Sequence, residues 1–192
     1  MKQLKTWKYL STVCASVCAT LFVVLACASD DSKSQPTETM PDDFVVVADF
    51  IPDIIQGIRY HSTYNFVGER ITGYEEPKSI LTRKAAEALK AVSDDVMAQG
   101  YRLKVYDAYR PQCAVDHFVR WAEDVDDTRM KAYFYPEVPK SELFEREYIM
   151  ARSGHTRGST VDLTLFDMQT GKEVDMGGPF DWFGELSHPD YE

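Results

Sequence analysis

Ser153-Gly154-His155-Thr156-Arg157-Gly158-Ser159-Thr160-Val161-Asp162-Leu163-Thr164-Leu165-Phe166 is the stretch from which the rest of the chain can be read. His155 and Asp162 are seven residues apart and would share a face if this were helix. Gly154, Gly158 and the run Ser159-Thr160-Val161 disfavour that. Val161 to Phe166 alternates and is rich in β-formers, so it predicts a strand. The expected arrangement is a glycine-bearing loop that delivers His155 beside a strand carrying Asp162. Val161 and Leu163 flank Asp162, where burying a carboxylate is costly unless it is paired or metal-bound. A neutral imidazole with a carboxylate suits Zn²⁺, which in catalytic sites takes three protein ligands and keeps an open position for water. Spacing alone leaves three arrangements open: the two side chains bonded to each other, both exposed, or both on a metal.

Around that segment the chain mixes helix and strand signals. Phe44 to Phe50 is β-branched and ends at Pro52, which predicts a strand. Leu81 to Gln99 predicts a helix, with Thr82 as cap, Gly100 as stop, and Ala85, Ala88, Leu89, Val92 and Val96 on its apolar face. Tyr101 to Asp107 alternates as a strand. A second helix starts at Pro111 and turns Ala114, Val115, Phe118 and Ala122 inward. Asp124 to Pro139 reads as a surface excursion and Ser141 to Ala151 as a short helix. Gln169-Thr170-Gly171-Lys172 makes a turn into a partner strand near Val174. The fold expected is α+β: one domain, with a small, mostly antiparallel sheet and flanking helices.

The N-terminal part has a different character. Lys2, Lys5 and Lys8 precede an apolar run from Leu10 to Ala26, the layout of a secretory signal over residues 1–26. Val24-Leu25-Ala26-Cys27 resembles a bacterial lipobox, which would make Cys27 a lipidated N-terminus. Residues 27–43 are mostly polar and read as a flexible tether. The folded body is then 44–192, enough for one core. Removing residues 1–26 takes away three lysines and moves the net charge from −10 to −13. That acidity argues against a nucleic-acid partner. Of the four cysteines only Cys113 lies in the body, which excludes a disulfide-stapled fold; Cys113 itself reads as a small buried helix residue.

Ser153-x-His155-x-x-Gly158-x-x-x-Asp162 resembles the signature of the zinc D-Ala-D-Ala peptidases, a group that also resembles hedgehog-type domains. The fuller string is similar to the D-alanyl-D-alanine dipeptidase branch known from vancomycin resistance. Four further segments agree: Gly57-Ile58-Arg59-Tyr60, Asn65-Phe66-Val67-Gly68, Tyr106-Asp107-Ala108-Tyr109-Arg110-Pro111, and Met176-Gly177-Gly178-Pro179-Phe180-Asp181. The resemblance runs from about Phe50 to the last residue. It implies zinc ligation by His155 and Asp162. It implies that Arg110 stabilises the charge developing on the attacked carbonyl oxygen, and that Asp181 lies near the substrate's ammonium. Ser153 and Tyr60 would line the substrate site. The implied activity is hydrolysis of the dipeptide D-Ala-D-Ala to D-alanine in the cell envelope, the enzyme reaching the membrane through its lipid anchor only. A carboxypeptidase trimming peptidoglycan stems, or a non-catalytic relative, are the alternatives.

The same resemblance implies a Glu-x-x-His element that supplies the general base and the third zinc ligand, and places it beyond Glu192. Glu185-Leu186-Ser187-His188 has the spacing. It stands where the family carries a different Ser-His segment, however, and lacks the aromatic pair between Glu and His. His61 and His117 offer no better replacement, each reading as a packing or surface residue. Without a base, the polypeptide would be a weak catalyst.

Overall fold

The architecture was obtained as a computed structural model, which describes residues 40–191; the signal segment, Cys27 and most of the tether lie outside the described residues. In chain order the elements are β1 (Phe44–Val46), α1 (Val47–Phe50), β2 (Ile55–Gln56), β3 (Ile80–Thr82), α2 (Arg83–Ala98), β4 (Tyr101–Asp107), α3 (Gln112–Glu123), α4 (Lys131–Phe134), β5 (Asp162–Asp167) and β6 (Lys172–Glu173). The fold is α+β. Its main sheet runs β2-β4-β5-β6, and β1 pairs with β3 in a separate antiparallel ribbon. The sheet is mixed rather than simply antiparallel, because β2 lies parallel to β4 while the β4–β5 and β5–β6 pairs are antiparallel.

The β4–β5 ladder positions the site. Val105 faces Leu163 and Asp107 faces Asp162, so Tyr106 is an extra residue in β4. Such a bulge bends a strand and re-aims side chains. Here it brings two carboxylates opposite each other at the end of the ladder. The turn after β5 is the expected one: Gly171 takes a left-handed φ of 68°, and Val174 N–H donates to Leu165 O at 2.8 Å.

Helix α2 starts as expected, with Thr82 Oγ1 accepting from Ala85 N–H, and Gly100 at φ 92° ends it. Its inward face differs. Ala86, Leu89 and Ser93 are buried, whereas Ala88 is exposed and Val92 is 49% exposed. Small Ala86 and Ser93 let the helix lie close to β4 and β1, and this close approach outweighs the hydrophobicity of Val92. Leu81 belongs to β3, ahead of the helix. In α3 the inward set Ala114, Val115, Phe118 and Ala122 is as expected, with Trp121 added. Cys113 is exposed on the first turn, not buried, because the inward face begins at Ala114.

Three other expectations are corrected. The first strand stops at Val46: Val47 N–H donates to Ser79 O, and Ile51 N–H closes back onto Val47 O, giving a single helical turn before Pro52. The excursion from Asp124 is largely exposed but is pinned in its second half, where Phe134, Tyr135 and Val138 are core residues. Ser141 to Ala151 is a 3₁₀ turn over Lys140–Glu142 followed by irregular turns. There Glu147 adopts φ 61°, which breaks helical continuation, and buried Leu143 and Ile149 pin the segment.

An aromatic cluster joins the helices to the loops around the sheet end. Phe66 lies 4.8 Å from Phe118, 5.1 Å from Trp121 and 5.0 Å from Phe183, ring centre to ring centre. Truncating such a ring to alanine costs about 3–5 kcal/mol. The cluster holds α3 against the Asn65–Gly68 turn and the Pro179–Phe183 loop, and so fixes one wall of the site.

Candidate metal centre and adjoining cavity

His155 sits in a 3₁₀ turn, Gly154–Arg157, whose ends are tied locally. Ser153 Oγ accepts from His155 N–H at 3.2 Å. Gly158 closes the turn at φ 68°, and its N–H donates to His155 O. A Cβ at Gly158 would also collide with the Phe44 ring, so both the dihedral and the space require glycine. Arg110 N–H donates to the same His155 carbonyl at 3.3 Å. The loop-and-strand arrangement expected from the sequence is therefore present.

The His155 ring is buried, and Nδ1 donates to the carbonyl of Ala108 at 2.8 Å. A carbonyl can only accept, so this bond fixes the tautomer and turns Nε2 towards Asp162, whose Oδ1 is 3.4 Å away. Burial pulls the imidazole down, but the hydrogen bond and charge of Asp162 outweigh it and hold the ring above its ordinary value. A proton shared along Nε2···Asp162 is what a metal ion would replace.

Asp107, Asp162 and His155 each offer a ligand atom, all within 4.8 Å of one another, forming a candidate metal site. Their contacts give them different duties. Asp107 is fully buried. Its Oδ1 accepts from Tyr74 Oη at 2.6 Å, and its Oδ2 accepts from Arg110 Nε at 2.9 Å and forms an ion pair with Nη2 at 2.8 Å. It also lies on the Nδ1 side of His155, at 3.4 Å. Burial pushes the Asp107 carboxyl up, while the guanidinium and the tyrosine hydroxyl pull it back. Asp162 is 31% exposed, not enclosed as its apolar neighbours suggested, and its Oδ2 lies 3.8 Å from Arg110 Nη2. The atoms left open for an ion are thus His155 Nε2 and the Asp162 carboxylate, with Asp107 holding Arg110 and the imidazole in place.

Asp107 was not singled out in the sequence. It stands at the end of an apolar strand, three residues before Arg110, where an aspartate reads as a solvated strand end. Its position between Tyr106 and Ala108, after the apolar Val105, was the available signal.

Arg110 spans two regions. It touches Asp162, lies over the rings of Tyr60 at 5.1 Å and Phe118 at 5.2 Å, and lines a cavity of about 210 Å³. Tyr60, Ser153 and Asp181 line the same cavity. Tyr60 Oη donates to Asp181 Oδ2 at 2.9 Å, a contact across 121 positions of sequence. Asp181 adopts φ 60°, and burial, aided by Asp162 and Asp107 against the pull of Arg110 and Tyr60, pushes its carboxyl up to about 7. His155 and Asp162 do not line this cavity; Asp162 borders a wider groove of about 810 Å³ between β5 and the Val174–Phe180 segment.

The family model for D-ala-D-ala dipeptidase, Peptidase_M15, matches residues 40–192. The chain belongs to this family. A D-alanyl-D-alanine dipeptidase of Enterococcus faecalis is 40% identical over 143 residues, 72% of this chain and 71% of that protein. One from Streptomyces coelicolor is 40% identical over 145 residues, 73% and 72% of the two chains. One from Escherichia coli is 30% identical over 149 residues, 76% and 65%. The protein is therefore a metallopeptidase-family member with its candidate metal site at Asp107, His155 and Asp162.

Other histidines stand apart from that site. His117 Nδ1 accepts from Thr72 N–H at 3.1 Å, and Nε2 meets Glu69 at 3.0 Å, a link between α3 and the segment joining β2 to β3. His188 Nε2 meets Tyr148 Oη at 2.8 Å at the surface, and Glu185 and His188 do not join the metal-ligating group among the described residues. His61 belongs to no such group either.

Proposed function

We propose that this protein is a zinc-dependent D-alanyl-D-alanine dipeptidase of the cell envelope. The carrying observation is His155: its Nδ1 is committed to a backbone carbonyl, and its Nε2 is presented to Asp162 beside an arginine. A nitrogen lone pair with a partly exposed carboxylate is a donor set that suits zinc, so His155 and Asp162 would hold it. Zinc bound there supplies a Lewis acid and a water acidified towards neutrality.

The other residues bind and orient. Asp181, with Tyr60 bonded to it, takes the ammonium of the dipeptide. Arg110 uses Nε and Nη2 on Asp107, and its Nη1 carries no bond among the described residues. That leaves a fixed cation to hold the charge developing on the amide oxygen. Ser153 lines the cavity while keeping the His155 turn closed. The fold is that of the zinc D-Ala-D-Ala peptidases and hedgehog-type domains. Residues 1–26 are a removable signal, Cys27 carries lipid, residues 27–43 are a tether, and 44–192 belong to the peptidase domain.

The test is release of D-alanine from D-Ala-D-Ala by the protein expressed from its full reading frame. Activity that disappears with a chelator and returns with zinc is expected. Absence of release under zinc-replete conditions sinks the reading. Labelled palmitate should be incorporated at Cys27 and lost in Cys27→Ser.

A further inference from the structure

The cavity beside the candidate metal centre is bordered by four charged side chains: Arg110, Asp181, Glu147 and Arg152. Two of them are already occupied. Arg110 is tied to Asp107 through Nε and Nη2, and Asp181 accepts from Tyr60. Arg152 and Glu147 are exposed and have no hydrogen bond or ion pair among the described residues. They stand on the irregular Leu143–Ser153 segment, which is anchored by buried Leu143 and Ile149 rather than by regular structure.

The backbone around the cavity is also unusual. Among the described residues two non-glycine positions have positive φ, Glu147 at 61° and Asp181 at 60°, and both border this cavity. Such conformations cost free energy and persist where the surroundings impose them, most often at binding sites. The rim segment is therefore part of the site's construction and not an incidental loop.

We infer that Arg152 is a specificity-determining residue that binds the substrate's terminal carboxylate. The inference rests on the dipeptidase reading. A free dipeptide is a zwitterion, and its ammonium is provided for by Asp181 and Tyr60. The carboxylate needs a donor that is neither committed elsewhere nor spent on the amide oxygen. Arg152 is the remaining cation of the cavity. Ser153, which follows it, closes the His155 turn, so the backbone at Arg152 is anchored three residues before the imidazole. A guanidinium meets a carboxylate with two parallel N–H donors, which fixes orientation as well as charge. A peptide continuing past the second residue has an amide in place of that carboxylate, so the contact requires the substrate to end one residue after the scissile bond.

The experiment uses the ketomethylene analogue of D-Ala-D-Ala, in which a CH₂ replaces the amide nitrogen and hydrolysis is blocked, together with its C-terminal carboxamide. Dissociation constants are measured by calorimetry on zinc-supplied protein, with hydrolysis of D-Ala-D-Ala assayed in parallel. Arg152→Ala should weaken the free acid by roughly ten- to a hundredfold and leave the carboxamide at its wild-type affinity. Arg152→Lys should recover part of the loss. Equal weakening of both analogues, or of neither, overturns the assignment. A wild-type protein that binds neither analogue overturns the substrate reading and this inference together. One that binds the acid but never hydrolyses the dipeptide overturns the dipeptidase reading alone.

Discussion

Asp107 and Asp162 face each other across one rung of the same ladder, yet they differ in almost every respect. Asp107 is enclosed, and both its oxygens are engaged, by Tyr74 and Arg110 at 2.6 to 2.9 Å. Asp162 is 31% exposed, and its nearest charged neighbours stand at 3.4 and 3.8 Å. The contrast separates a carboxylate that orients other groups from one that is free to accept an ion. Residue type and position in the sheet would have ranked them equally.

Substitution should split the pair. Asp107→Ala leaves Arg110 buried without its partner and is expected to destabilise the fold by about 3–5 kcal/mol, read by denaturant unfolding. Asp162→Ala should change stability by about 1 kcal/mol or less while lowering bound zinc, as His155→Ala should. A protein that keeps full metal content without Asp162 but loses it without Asp107 would reverse the two assignments.

The Gly158 turn carries the next effect. Gly158→Ala adds a Cβ at φ 68° against Phe44, and a loss of about 1–3 kcal/mol is expected, from strain and overpacking together. If the melting temperature is unchanged, the close contact between the turn and Phe44 does not constrain His155.

Asp181 tests the cavity end through pH. Its folded carboxyl titrates at about 7, above its ordinary value of 3.8. The native state therefore holds a proton that the unfolded chain has released, and stability falls as pH rises from about 4 to 7. Asp181→Asn should remove that slope and gain roughly 1–3 kcal/mol at pH 8, seen as a flatter plot of unfolding free energy against pH. An unchanged slope would place the titration elsewhere. The smallest effect is expected at Glu147→Gly, which relieves a left-handed glutamate and should stabilise by about 1 kcal/mol. Destabilisation there would mean that the Glu147 side chain makes contacts worth more than the strain.

What the sequence disclosed follows from the range of each interaction. β4, β5 and the turn between β5 and β6 were legible because alternation and a glycine turn are local signals. The inward face of α3 was legible because apolar residues fell at helical spacing. The face of α2 was misread because Ser93 owes its burial to a neighbour's proximity rather than to its own hydrophobicity. Phe44 to Phe50 was read as one strand because the bond that ends it, Val47 N–H to Ser79 O, comes from distant sequence. The site shows the same limit. His155, Asp162, Arg110, Asp181, Ser153 and Tyr60 entered through motifs, whereas Asp107 needed the ladder register to show its partners.

The bulge at Tyr106 has a consequence for how this chain can vary. Released from the ladder, the Tyr106 ring packs 4.8 Å from Phe180, next to Asp181, and lies 4.8 Å beneath the Arg59 guanidinium. One supernumerary residue thus sets the alignment of the two carboxylates and also touches the loop that carries Asp181. Between Val105 and Asp107 the length of the chain is fixed, because removing a single residue there would unpair the acids and withdraw the ring that packs against the loop carrying Asp181.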